Sequence, residues 1–201
     1  MKHIFEKGVN SDRTLLLLHG TGGTESDLIP LGKMIDSEAN ILSCRGNVSE
    51  NGMPRFFKRL AEGVFDEEDL ILRTKELNDF IREASDTYQF NREEVVAIGY
   101  SNGANIAGSL LFHFKNSLKC AILHHPMVPR RGVQLPNMVD LPVFIGAGKN
   151  DPICKPEETE DLAELLKKAG ATVSIHWESY GHQLTKSEAQ AAADWYKREI
   201  K

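Results

Sequence analysis

The stretch that most constrains this chain is Val95-Val96-Ala97-Ile98-Gly99-Tyr100-Ser101-Asn102-Gly103-Ala104-Asn105. A β-branched apolar run ends in Gly-x-Ser-x-Gly. Apolar residues then recur at helical spacing through Ala104, Ile106, Ala107, Leu110, Leu111 and Phe114. A strand turning that sharply into a helix leaves no room for side chains beside the serine. Gly99 and Gly103 remove the collision, and Ser101 is left projecting above the sheet edge. The helix that follows aims free backbone N–H groups at the same point, where negative charge can be stabilised. Chance alone produces the pattern in roughly one chain of this length in fifteen. The reading of Ser101 as a nucleophile therefore needs a base, an orienting acid and an oxyanion site from the rest of the chain.

Composition narrows what else the chain can be. Its 201 residues fit one domain, 1–201, with 41% hydrophobic and 26% charged residues. A net charge of −5 leaves no electrostatic footprint for nucleic acid or an anionic membrane, and basic doublets such as Arg130-Arg131 are too short to argue otherwise. The N-terminus lacks the apolar core of a signal peptide, and no apolar run approaches membrane-spanning length. Cys44, Cys120 and Cys154 are odd in number and far apart, which argues against a disulfide framework and for a reduced, cytoplasmic setting.

Along the chain, apolar runs alternate with helical patterns. Thr14 to Leu18 reads as a buried strand, followed by the loop His19-Gly20-Thr21-Gly22-Gly23-Thr24 and a helix from about Ser26 to Ile35. The loop fails the dinucleotide fingerprint at Glu25 and has no Gly-Lys-Ser/Thr ending. What remains is a loop presenting backbone N–H groups beside a nucleophile, with Thr21 as the donor. Ala39 to Ser43 is a second strand. Val48 to Asp69 has no clean period yet carries Phe56, Phe57 and Phe65, each of which reads either as pocket wall or as packing at the sheet edge. A long helix over 69–88 precedes the nucleophile strand. Strands over 119–123, 141–147 and 172–177 follow, with a helix opening at Pro156 and another behind the capping box Thr185-Lys186-Ser187-Glu188. Such alternation predicts an α/β fold, a mostly parallel sheet with helices on both faces, whose functional residues gather at strand carboxyl ends.

His182, on a loop after the last strand and preceded by glycine, is the candidate base. Asp151 follows its own strand, stiffened by Pro152, and is the candidate acid that fixes the imidazole tautomer. The order Ser101, Asp151, His182 is that of an α/β-hydrolase. His124 and His125 end another strand and read either as pocket-lining residues or as strand-end residues of the core or surface. Among the other histidines, His19 is expected to brace the glycine loop, His176 to pack within a strand, His113 to lie on the helix after Ser101 and His3 near the terminus. No His-Glu-x-x-His, Cys-x-x-Cys or helical His pair is present, so no metal is expected. Cys154, close to Asp151, is expected to slow substrate entry when modified by a bulky reagent.

Four blocks carry a family resemblance: Leu17-Leu18-His19-Gly20-Thr21-Gly22-Gly23, Gly99-Tyr100-Ser101-Asn102-Gly103-Ala104, Gly148-Lys149-Asn150-Asp151-Pro152 and Gly181-His182. Together they resemble the phospholipase/carboxylesterase family of small α/β-hydrolases, relatives of the acyl-protein thioesterases. His124-His125-Pro126 and Arg45-Gly46-Asn47-Val48 look closest to a bacterial subgroup linked to quinone and hydroquinone stress. The resemblance implies an esterase with no separate cap domain, a Ser-His-Asp triad, and oxyanion N–H groups from Thr21 and Asn102. It implies no cofactor and a small-molecule ester as partner, and the residues themselves make Phe56, Phe57, Phe65 and His125 the candidate pocket contacts. A thioesterase or aromatic-ester hydrolase is the alternative, and a homodimer is left open. A non-catalytic binding module would be expected to have lost part of the triad, and here every member is present.

Overall fold

Five consecutive residues without exposed surface, Thr14–Leu18, need cover on both faces. The computed structural model, which describes residues 1–9 and 12–200, supplies it. In chain order the elements are β1 (His3–Glu6), β2 (Thr14–Leu18), α1 (Ile29–Ile35), β3 (Asn40–Cys44), β4 (Val48–Glu50), β5 (Met53–Arg55), β6 (Arg59–Ala61) and β7 (Val64–Phe65). Then come α2 (Glu67–Tyr88), β8 (Val95–Tyr100), α3 (Asn102–His113), β9 (Cys120–His124), β10 (Pro142–Gly148), α4 (Pro156–Lys168), β11 (Thr172–Glu178) and α5 (Lys186–Glu199). One sheet has the strand order β1-β3-β2-β8-β9-β10-β11. β1 runs antiparallel to β3, and the other pairings in that sheet are parallel.

Alternate residues of β2 serve opposite layers. Leu16 and Leu18 pack with Leu77 of α2, Leu110 of α3 and Leu162 of α4. Leu15 and Leu17 pack with Ile35 of α1 and with Ala192 and Tyr196 of α5. This is the α/β-hydrolase architecture that the alternating pattern predicts. None of the helices among the described residues is long and apolar enough to cross a membrane.

Three local departures have physical causes. α1 begins at Ile29 rather than near Ser26, because Pro30 has no N–H to donate and its ring would strike the carbonyl four residues back. β1 has no sequence signature of its own, being four half-buried residues paired on the outer edge of β3. The aperiodic connection is two small hairpins, β4 with β5 and β6 with β7, too short to show a period. Cys44 in β3 and Cys120 in β9 lie inside the sheet, where burial pushes both thiols far above the usual range.

Candidate active site

The turn between β8 and α3 holds Ser101 at φ 52 and ψ −113, a region costly for any residue with a side chain, by about 1–3 kcal/mol. The surroundings fix it there. Ser101 N–H donates to His124 O at 2.8 Å, and its carbonyl accepts from Asn105 N at 2.9 Å. A Cβ on Gly103 would lie 1.9 Å from Leu18 O, so α3 meets β2 more closely than any other residue type allows.

β10 and β11 deliver the other two groups. Lys149 N–H donates to Glu178 O at 2.8 Å, and Gly181 N–H donates to Asn150 Oδ1 at 2.9 Å, tying the two strand ends together. His182 Nε2 then lies 2.8 Å from Ser101 Oγ, and His182 Nδ1 lies 2.7 Å from Asp151 Oδ2. The Tyr100 hydroxyl donates to His182 O at 2.6 Å and steadies that loop. Asp151 Oδ1 accepts from Ile153 N at 2.8 Å and Cys154 N at 2.9 Å. Burial works against the charge of Asp151, but donors from His125, His182, Cys154 and Ile153 outweigh it and hold the carboxyl below the usual range. A hydroxyl, an imidazole and an ionised carboxylate in this line can move a proton off Ser101.

The glycine loop lies opposite. Gly22 N–H is committed to Pro54 O and Gly23 N–H to Gly20 O, whereas Thr21 N–H has no such bond among the described residues. Arg55, buried, donates to Thr21 Oγ1 at 2.6 Å and to Phe57 O at 3.1 Å, bracing the loop from below. His19 braces it from behind, with Nδ1 2.6 Å from Gly20 O and Nε2 accepting from Gly46 N at 3.1 Å. Asn102 is the first residue of α3, so its N–H has no intrahelical acceptor. A cleft of about 660 Å³ opens here, bordered by Thr21, Gly22, Asp27, Tyr100 and Gln183.

Several expected pocket residues lie elsewhere. Phe56 and Phe57 are 2% and 0% exposed and belong to the core, because the hairpins fold their aromatic junction inward. Phe56 packs against the His19 ring at 4.8 Å. Phe65 is half-buried, edge-on to Phe57 at 5.0 Å, and borders a small hollow with Met127 and Pro129. His125 is not on the cleft surface: it is buried behind Asp151, with Nδ1 2.9 Å from Asp151 Oδ2 and Nε2 3.1 Å from Glu188 Oε2. The expected obstruction by modified Cys154 fails on access. That thiol is buried, donates to Pro126 O at 2.7 Å, and is pushed up to about 12 by burial and by Asp151.

Two side-chain roles escaped the sequence reading. The Asn102 side chain accepts from Phe56 N–H at 2.7 Å and so latches the hairpin segment to the serine turn. Glu188 is the larger omission. Thr185 Oγ1 does accept from Glu188 N–H at 3.1 Å, as a capping box requires, but the Glu188 carboxylate turns inward and is fully buried. Its place in line with Ala192 and Tyr196 on the buried stripe of α5 was the available signal. His124 Nδ1 donates to its other oxygen at 2.5 Å. Burial opposes the Glu188 charge, but His124 and His125 reverse that and hold it at about 2. Burial likewise pulls His125 down, and Asp151 and Glu188 more than compensate, setting it at about 9.

His125, Asp151 and His182 are the one group among the described residues whose ligand atoms converge as a metal site would, within 4.8 Å. Both imidazole Nδ1 atoms there face the same carboxylate oxygen, so a cation would have to displace two N–H protons.

A sequence model of the Dienelactone hydrolase family matches residues 55–199. The protein MhqD of Bacillus subtilis (strain 168), named as a hydrolase, is 64% identical over 200 residues, covering 100% of both chains. A carboxylesterase of Bacillus cereus superposes with a TM-score of 0.98 at 63% identity, over 100% of this chain and 95% of that one. A Mesorhizobium loti carboxylesterase gives 0.87 at 27% identity, over 94% and 90% of the two chains.

Proposed function

The chain belongs to the dienelactone hydrolase family, and from that premise we propose that it is a serine carboxylesterase acting on small carboxylic esters. It is a hydrolase of the dienelactone-hydrolase and carboxylesterase type. The observation that carries the finer reading is the 2.8 Å approach of His182 Nε2 to Ser101 Oγ, with Asp151 on the far nitrogen.

On this reading Ser101 Oγ attacks the ester carbonyl as His182 takes its proton. Carbonyl electrons move to the oxygen, which the Thr21 and Asn102 N–H groups receive, each worth roughly 3 kcal/mol of transition-state stabilisation. Collapse breaks the bond to the alkoxy oxygen, and His182 gives its proton to the departing alcohol. Water, deprotonated by His182, then attacks the acyl-enzyme and releases the acid and free Ser101. Asp151 stays ionised throughout and stabilises the imidazolium.

The test is a panel of p-nitrophenyl esters and thioesters together with a fluorophosphonate probe. The wild-type protein should label on Ser101 and turn esters over. Ser101→Ala should lose both, with kcat falling by about 10⁶ and the melting temperature little changed. Retention of more than a few per cent of activity in purified Ser101→Ala would refute the assignment.

A further inference from the structure

Behind Asp151 lies a set of ionisable side chains that acyl transfer does not consume. His125 presents Nδ1 to Asp151 Oδ2 and Nε2 to Glu188 Oε2, and the second Glu188 oxygen takes the proton-bearing Nδ1 of His124. Resting on the triad reading above, we propose that His125 and Glu188 are positioning residues for that triad. His125, protonated on both ring nitrogens, clamps the Asp151 carboxylate and restrains the basicity of His182. Glu188 keeps the second proton on His125.

The geometry requires two donors. Ionised carboxylates only accept, and both His125 nitrogens face one, so a single-proton imidazole leaves one contact as acceptor against acceptor. The backbone is shaped to hold this ring. His125 adopts φ 54, uncommon for a residue with a side chain, and its N–H donates to Gly146 O at 2.7 Å. The strand beside it is shaped for the acid. A Cβ on Gly146 would lie 1.9 Å from Glu188 Oε1, so glycine there makes the space the carboxylate fills. Asp151, meanwhile, accepts four hydrogen bonds, two on each oxygen, which leaves it no freedom to rotate away from His182.

The arrangement balances charge around Asp151. Asp151 and Glu188 contribute two negative charges and His125 one positive, so the resting cluster carries the same net charge as a lone triad aspartate. Other titratable groups packed against His125 are His124, His182 with its ring centroid 5.0 Å away, and Tyr100 edge-on at 6.0 Å. When His182 takes the Ser101 proton, its positive charge forms beside that of His125. Like charges at that spacing oppose each other, which eases return of the proton to the leaving alcohol.

Two measurements decide the matter. In ¹⁵N-labelled wild-type protein, long-range ring correlations should show both His125 nitrogens protonated at neutral pH and up to about 9, with assignment by loss of the signal in His125→Gln. A neutral His125, with its proton on Glu188 instead, overturns the proposal and needs no activity to be seen. In Glu188→Gln, the acid limb of the kcat/KM profile should move up by about one pH unit, with KM within about two-fold and fluorophosphonate labelling retained. A merely structural Glu188 would lower the melting temperature and leave that limb in place, which also overturns the proposal. Failure of wild-type protein to label would overturn the esterase reading and the positioning role with it. A labelled wild type with a neutral His125 overturns this proposal alone.

Discussion

Glu188 and His125 bring opposite charges into a place water does not reach, so stability should depend on pH from both sides. Glu188 is held at about 2, below its unfolded value near ~4.3. Its contribution is present above the unfolded value and lost as pH falls through about 2. His125 is the reverse case, raised to about 9 from an unfolded value near ~6.5. Its contribution is complete below the unfolded value and disappears as pH rises through about 9. Calorimetry should therefore show Tm highest between about pH 4.5 and 6.5, falling on either side by about 2–4 °C for each kcal/mol lost. A flat Tm from pH 6 to 9.5 would contradict the alkaline half. At this scale Ser101, Asp151 and His182 were legible because each sits just past its own strand among turn-forming residues. Glu188 was not, since the same Thr-x-x-Glu spacing serves a surface cap or a buried ion pair, and only tertiary packing chooses between them.

Among the elements, the two hairpins between β3 and α2 set fully buried aromatics a few residues from a half-buried one. Phe56 and Phe57 fall at the junction of the hairpins and face inward, while Phe65 reaches the hollow beside Met127. Truncation should sort them. Phe56→Ala and Phe57→Ala should each cost about 3–5 kcal/mol of stability and leave the preference among acyl chain lengths unaltered. Phe65→Ala should cost less and shift KM across a graded ester series. Equal destabilisation by all three, with no change in selectivity, would assign Phe65 to the core as well. Helices were readable here wherever an apolar stripe ran for several turns, as in α2 through Leu70, Thr74, Leu77, Ile81 and Ala84. Strands of two or three residues were not, because a period of two needs more length than that to emerge.

For the whole molecule, the parallel sheet sets what can meet. β2, β8, β9, β10 and β11 all end on one side, so loops distant in sequence converge on Ser101 without any element being built for the purpose. That convergence was legible from alternation and chain order alone. The antiparallel edge strand β1 was not, as it depends on pairing with β3 and not on any pattern of its own. Sheet burial has another outcome, for the chemistry the protein can withstand. Cys44 and Cys120 are sealed within strands, and Cys154 is capped by the Pro126 carbonyl, so all three sulfurs remain protonated and shielded. Soft electrophiles, quinones among them, consume thiolates, and this protein offers them none. Native protein incubated with N-ethylmaleimide should keep its mass and its ester turnover, and should gain three adducts only after denaturation. Rapid stoichiometric addition to the native form would show otherwise. An enzyme so built can go on working in a milieu that poisons cysteine-dependent ones.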